Sequence, residues 1–115
     1  MKHAILSVSR AAFLLTVCLG LLVAPLHAQD DAATTFKSKC AVCHGTDGSG
    51  NTKMGASLKI PDLRSEDAQK LTDAELTDII TNGKNGKMPV WGTMLKPEEI
   101  KALVAHVRTF ASKKK

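Results

Sequence analysis

The stretch Cys40-Ala41-Val42-Cys43-His44 decides how the rest of this chain is interpreted. Its pattern, Cys-x-x-Cys-His, is the attachment signature of a c-type haem. Two thiols separated by two residues reach two vinyl groups along one edge of the porphyrin and form thioether bonds with them. The histidine that follows lies beneath the ring, where an imidazole nitrogen binds the iron. The pattern therefore predicts one covalently bound haem c, attached through Cys40 and Cys43, with His44 as an iron ligand.

Two other uses of paired cysteines fit this sequence less well. A structural zinc site requires about four ligands. From Gln29 onward, the only further cysteine or histidine outside the motif is His106. A thioredoxin-like Cys-x-x-Cys is expected within a βαβ pattern, and no alternating strand pattern surrounds this one.

The first 28 residues have the pattern of a cleaved secretory signal peptide. Lys2 and Arg10 supply positive charge, residues 11–24 are mostly apolar, and residues 26–28 end in a small alanine. The apolar stretch is shorter than the roughly 20 residues that span a membrane, although an uncleaved anchor is the alternative. Cys18 lies inside this stretch and is expected to leave with it.

The predicted mature chain, residues 29–115, is a small domain with a modest positive charge. Without Lys2 and Arg10, 14 of the 16 Lys and Arg residues remain, against 11 Asp and Glu. Mixed signs along the chain do not indicate a nucleic-acid surface. A chain this short, with Phe36, Trp91 and Phe110 as its only aromatic residues after the leader, forms a marginal core by itself. A buried haem would complete that core.

The mature sequence predicts helices joined by glycine-rich loops. A first helix is expected from Asp30 or Asp31 into Cys40, with Phe36 one turn before Cys40 and on the same face. Residues 45–57, rich in glycine, are expected to form a loop. Residues 60–63 are expected to be extended, because Pro61 disfavours helix in the residue before it.

The second half of the chain carries the clearest helix signals. Thr72 and Glu75 form a capping box for a helix over residues 72–82, which Gly83 ends. Residues 65–70 are expected to form a short turn or helix. The last helix begins near Pro97, and its buried face is predicted to consist of Ile100, Leu103, Val104, Val107 and Phe110.

With these features in place, residues 29–111 resemble a small class I cytochrome c of the bacterial and photosynthetic type. The resemblance rests on Cys40, Cys43 and His44, on Met88-Pro89 in the late loop, and on the apolar C-terminal helix. It implies an all-α class I cytochrome c fold, with three to five helices around one haem and crossing N- and C-terminal helices. It also implies that His44 and Met88 are the axial iron ligands.

The resemblance further implies that two more residues belong to the haem environment. At two other positions this chain departs from the usual sequence of the family. The Pro61 carbonyl would accept the Nδ1 proton of His44 and so orient the imidazole, and Trp91 would pack at the haem edge. Ala32 stands where the family often has glycine, and His106 where it often has tyrosine. A slightly wider helix crossing accommodates both, and a packing role is expected for His106 rather than metal binding.

Three methionines after the leader are candidates for the sixth iron ligand. Chain reach does not decide among them, since ten extended residues span up to about 33–36 Å. Pro89 keeps the Met88 stretch out of a helix, and Gly86 and Gly92 let the backbone close against the haem. Met94 is expected to fill the core, and Met54 to be peripheral.

Coordination by His44 and Met88 leaves no open iron position for a substrate, and a methionine ligand raises the reduction potential. The sequence therefore predicts a non-enzymatic, monomeric one-electron carrier in the periplasm or otherwise exported, with redox proteins as partners and no stable membrane insertion after cleavage. Exposed lysines, among them Lys53, Lys84 and Lys87, would attract acidic partners. The alternatives are a gas- or peroxide-binding haem protein with a displaceable Met88, and a subunit of a larger oxidoreductase.

Overall fold

A computed structural model describes residues 27–113 of the chain. Residues 1–26 of the predicted leader, Cys18 among them, lie outside the described residues. The last two leader residues, His27 and Ala28, belong to the first helix. No helix among residues 27–113 is long and apolar enough to cross a membrane.

The described part of the chain is helical, as predicted, and contains no β-strand. Its helices are α1 (His27–Thr35), α2 (Ala41–His44), α3 (Lys53–Leu58), α4 (Glu66–Lys70), α5 (Asp73–Asn82) and α6 (Pro97–Arg108). A π-helical turn, Phe36–Cys40, joins α1 to α2, and 3₁₀ turns cover Trp91–Thr93 and Thr109–Lys113.

The first helix begins earlier than predicted. We expected Asp30 or Asp31 to cap it, but α1 begins at His27. Ala28 and Gln29 are good helix formers, so the helix extends through them toward the N-terminus.

The predicted loop over residues 45–57 is confirmed only as far as residue 52, because helix α3 occupies residues 53–58. The Thr52 hydroxyl accepts a hydrogen bond from the Gly55 amide at 2.8 Å and so caps the helix, and Lys59 ends it with a positive φ of 53°. Gly55 packs so closely that an added Cβ would lie 2.5 Å from the Cys43 carbonyl oxygen. This helix depends on tertiary packing against the Cys-x-x-Cys-His segment, which a local pattern does not reveal.

The capping signals of the second half are confirmed. The Glu75 carboxylate accepts from the Thr72 amide at 2.7 Å, and the Thr72 hydroxyl accepts from the Glu75 amide at 3.2 Å. The Ser65 hydroxyl caps α4 by accepting a hydrogen bond from the Ala68 amide at 3.2 Å. Gly83 ends α5 with a φ of 73°, and a Cβ there would overlap the Met88 carbonyl oxygen.

The core forms where α1 and the π-helical turn cross α6. Phe36 is 3% exposed, and the predicted apolar face of the last helix is buried. His106 is half-buried, and its ring centroid lies 5.1 Å from those of Phe36 and Phe110. His106 therefore packs at the crossing, as predicted, next to a small hollow that Ala32 and Ala105 help to line.

Candidate cofactor site

A cavity of about 470 Å³ lies beside this core, within the roughly 300–1,000 Å³ usual for cofactor sites. Its lining is mostly apolar and comes from residues 36–44, 58–88 and 103–107. The apolar side chains are those of Phe36, Leu58, Ile60, Pro61, Leu63, Ala68, Leu71, Leu76, Ile79, Ile80, Met88, Leu103 and Val107. Such a lining suits a large hydrophobic group.

The Cys-x-x-Cys-His segment reaches the cavity through a change of helical register. Cys40 ends the π-helical turn, where the Ala41 amide bonds to the Phe36 carbonyl oxygen. Turns of this kind occur frequently at functional sites. Cys40 and His44 line the cavity, and Cys43 is half-buried beside them in the chain. Cys40 and Cys43 are not joined in a disulfide, so both sulfur atoms remain available.

The glycine-rich loop after His44 folds back and fixes the end of this segment. The Gly50 amide donates to the His44 carbonyl oxygen at 2.7 Å. The Thr52 hydroxyl lies 3.0 Å from the Val42 carbonyl oxygen and 3.1 Å from that of Cys43. The backbone carbonyls of α2 are thereby paired, and the orientation of the segment is set.

His44 has the surroundings of a metal ligand. Burial lowers the pKa of its imidazole, which favours the neutral form that binds metals. Its Nδ1 is buried and has no hydrogen-bond partner. The bond that we expected from Nδ1 to the Pro61 carbonyl is therefore absent from this structure, although Pro61 also lines the cavity.

Burial raises the pKa of Cys40, in contrast to that of His44, because it disfavours the charged thiolate. The pKa of the Cys40 thiol is raised to about 11, chiefly by burial, while the nearby Lys39 charge acts in the other direction. A neutral, buried thiol is a poor free nucleophile. Within residues 27–113, no three His, Cys, Asp or Glu side chains come close enough together to hold a metal ion by themselves.

The three methionines have different surroundings. Met88 is half-buried, lines the cavity and packs against the core. Met54 is 47% exposed, so its predicted peripheral position is confirmed. The prediction that Met94 fills the core is wrong, because it is 59% exposed. The 3₁₀ turn before Met94 directs the next residue, Leu95, inward instead, and Leu95 is 8% exposed.

A tight turn presents Met88 to the cavity. The amide of Met88 donates to the Lys84 carbonyl oxygen at 3.1 Å, and Asn85 and Gly86 both have positive φ. An added Cβ at Gly86 would meet no other atom within 4 Å. This glycine is therefore needed for the positive φ of the turn and not for close packing. Gly92 does not approach the cavity as we expected. Its Cα packs against α5, where an added Cβ would lie 2.7 Å from Thr81 Cγ2.

Trp91 is not among the described residues that line the cavity. It begins a 3₁₀ turn and packs, half-buried, against the hydrophobic core. Its predicted place at the haem edge therefore finds no support in the cavity lining.

In the described part of the chain, three lysines line the cavity, and two of them are among those expected from the sequence. Lys84 and Lys87 line it, and the Lys87 ammonium donates to the Leu58 carbonyl oxygen at 3.2 Å. Lys59 joins them, and Lys53 does not. Lys59 was missed because its position depends on the left-handed end of α3, a helix that the sequence did not predict.

The chain is similar to several known cytochromes. Residues 27–107 match the family described as cytochrome C oxidase, cbb3-type, subunit III. The chain is 39% identical over 77 residues to the cbb3-type cytochrome c oxidase subunit FixP of Azorhizobium caulinodans. The matched region covers 67% of this chain and 25% of that protein. It is 35% identical over 80 residues to cytochrome c6 of Anabaena variabilis, which covers 67% of this chain and 85% of that protein.

A solved structure shows the same arrangement of helices. The KustC0563 c-type cytochrome superposes with a TM-score of 0.65 at 33% sequence identity, and the match covers 70% of this chain and 96% of that one. The chain thus spans about a quarter of the FixP relative and most of the cytochrome c6 and KustC0563 chains.

Proposed function

The chain belongs to the cytochrome c family, with a domain of the type found in subunit III of cbb3-type oxidases, and on that premise we propose that it carries single electrons between redox proteins. The class I cytochrome c fold inferred from the sequence is confirmed by the family match and the structural neighbour. Haem c, when bound, supplies a one-electron iron couple.

The residues of the cavity have distinct roles in this proposal. Cys40 and Cys43 hold the haem through thioether bonds, and His44 and Met88 are its iron ligands. The observation that carries the proposal is that Cys40, His44 and Met88 line one apolar cavity while Met54 and Met94 are exposed. The buried, unpaired Nδ1 and the lowered pKa of His44 fit an imidazole that binds a metal.

The apolar lining adjusts the chemistry of the site. An environment that excludes water favours the less charged state of the iron, so burial raises the reduction potential. Methionine as the second ligand acts in the same direction. With both iron positions filled by protein, the chain itself catalyses no reaction and serves as an electron carrier.

The family match favours a second candidate, a cytochrome domain that works within an oxidase. FixP of Azorhizobium caulinodans is by name an oxidase subunit, and this chain corresponds to about a quarter of it. The cytochrome c6 relative, in contrast, is covered over 85% of its length. That broad coverage favours a small independent carrier. We further propose that this carrier is exported after cleavage of residues 1–28 and is monomeric.

An absorption spectrum of the exported protein tests the proposal. The ferric and ferrous forms should show a low-spin haem that acid-acetone does not extract, and carbon monoxide should leave the ferrous spectrum unchanged. Complete extraction of the haem would contradict covalent attachment. Rapid carbon monoxide binding would favour the gas-binding alternative, and elution with an oxidase on size exclusion would favour the subunit.

A further inference from the structure

Arg108, in the last turn of α6, binds a segment that precedes it by more than 30 residues. Its guanidinium donates to the Gln69 carbonyl oxygen at 3.0 Å and to the Leu71 carbonyl oxygen at 2.5 Å. It also contacts Asp73 Oδ1 at 2.8 and 3.0 Å. One planar group with five donors can serve three separate acceptors in this way, which a lysine ammonium does less well.

The Gln69 side chain completes the network from the other direction. Its amide nitrogen donates to the Leu63 carbonyl oxygen at 2.8 Å and to the Val107 carbonyl oxygen at 3.1 Å. Its amide oxygen faces the Arg108 guanidinium at 3.5 Å. The Gln69 and Val107 carbonyls belong to the last turns of α4 and α6, where the regular pattern of helix hydrogen bonds ends. Each of these two helices is therefore capped by a side chain of the other.

The segment held by this network forms one wall of the cofactor cavity. Residues 63–76 contribute six of the lining side chains, namely Leu63, Ser65, Asp67, Ala68, Leu71 and Leu76. Only α4, with five residues, gives this segment regular structure before α5 begins, and so short a helix is not stable alone. The network ties the segment to α6, whose Leu103 and Val107 form the adjoining wall.

We propose that Gln69 and Arg108 are positioning residues of the haem site, which hold residues 63–76 against α6 and so keep water out of the cavity. This inference rests on the proposed function, since its effect is on the haem. If the network is broken, the segment opens more often, water reaches the cavity, and the more charged ferric state is favoured. The reduction potential of the folded protein therefore falls.

The test compares Arg108→Gln and Gln69→Met with wild type, as purified holoprotein under conditions where all are folded. Gln69→Met keeps the length of the side chain and removes its hydrogen bonds. Both variants should have a lower reduction potential than wild type. Amide hydrogen exchange should become at least about tenfold faster in residues 63–76, and should change little at the α1–α6 crossing. If Arg108→Gln does not fold, Gln69→Met alone carries the test.

Arg64→Gln is the matched control. Arg64 has a similarly exposed side chain, 27% against 30%, and forms ion pairs with Asp62 and Asp47 outside the network. It should leave the potential and the local exchange near wild-type values.

The double variant tests whether the two residues act as one unit. The decrease in reduction potential in the double variant should be smaller than the sum of the decreases in the two single variants, because each single change already breaks the shared network. Unchanged potentials in both single variants, or equal acceleration of exchange throughout the chain, would overturn the inference. A wild-type protein without covalent haem would instead overturn the proposed function.

Discussion

The ring of Phe36 lies 5.1 Å, centroid to centroid, from the ring of His106, at an interplanar angle of 49°. A tilted arrangement at this distance is a favourable geometry for ring pairs. Phe36 also lies 5.1 Å from Phe110, and its side chain forms part of the cavity lining. One residue therefore joins the helix crossing to the cofactor site.

Phe36→Ala should lower the free energy of unfolding by about 3–5 kcal/mol, the usual cost of truncating a buried phenylalanine. Chemical denaturation of the holoprotein measures the change. Val42→Ala is the control, because Val42 is 65% exposed and should change stability little. An unchanged denaturation midpoint for Phe36→Ala would mean that the helices do not cross as described.

Gly55→Ala should be strongly destabilising, by about 3 kcal/mol, because its Cβ would meet two backbone oxygens, those of Gly50 and Cys43. The displaced Cys43 backbone should also reduce the yield of protein with attached haem. Gly86→Ala is the comparison, since it has open space and bears only the strain of its positive φ, about 1 kcal/mol. Equal losses in the two variants would show that Gly55 is not closely packed.

The features predicted from the sequence are those that neighbouring residues determine. Cys40, Cys43 and His44 were recognisable because haem chemistry requires them within five residues. The Thr72–Glu75 capping box and Gly83 were recognisable because helix ends are set within one turn. The spacing of apolar residues in α6 likewise predicted its buried face.

The features missed are those that distant residues determine. Helix α3 depends on the packing of Gly55 against Cys43, and the inward position of Leu95 in place of Met94 depends on the 3₁₀ turn against α5. The Gln69–Arg108 network joins residues 39 positions apart. No local pattern indicates such a contact, because its partners become neighbours only after the chain has folded.

Acid should weaken the capping box of α5 through Glu75. Hydrogen bonds from Thr72 hold the pKa of the Glu75 carboxyl below its ordinary 4.5. The folded state thus binds this proton less readily than the unfolded state. The stabilisation is complete above pH 4.5 and is lost as the pH falls through the lower, folded pKa.

Glu75→Gln tests this, because glutamine also completes a capping box but does not titrate. Denaturation midpoints measured from neutral pH downward should show wild type as the more stable protein at neutral pH, with the difference shrinking in acid. A difference that is constant with pH would contradict the role of the carboxylate.

Lys84 and Lys87 should accelerate the reaction with negatively charged redox partners, because both line the cavity that we propose holds the haem. The double variant Lys84→Gln/Lys87→Gln should slow oxidation of the ferrous protein by ferricyanide about threefold at low ionic strength. Stopped-flow absorbance measures the rate, and the difference should vanish at high salt. Lys37→Gln, on the exposed side of the π-helical turn, is the control and should have little effect.

Met88→Ala should open the sixth iron position without detaching the haem. Met88 is the methionine that lines the cavity, while Met54 and Met94 are 47% and 59% exposed. The variant should therefore keep its thioether-linked haem, have a lower reduction potential and bind carbon monoxide. Met54→Leu and Met94→Leu should retain the wild-type spectrum and potential and resist carbon monoxide. If Met88→Ala kept the wild-type spectrum and potential while Met54→Leu or Met94→Leu lost them, the sixth ligand would be another methionine.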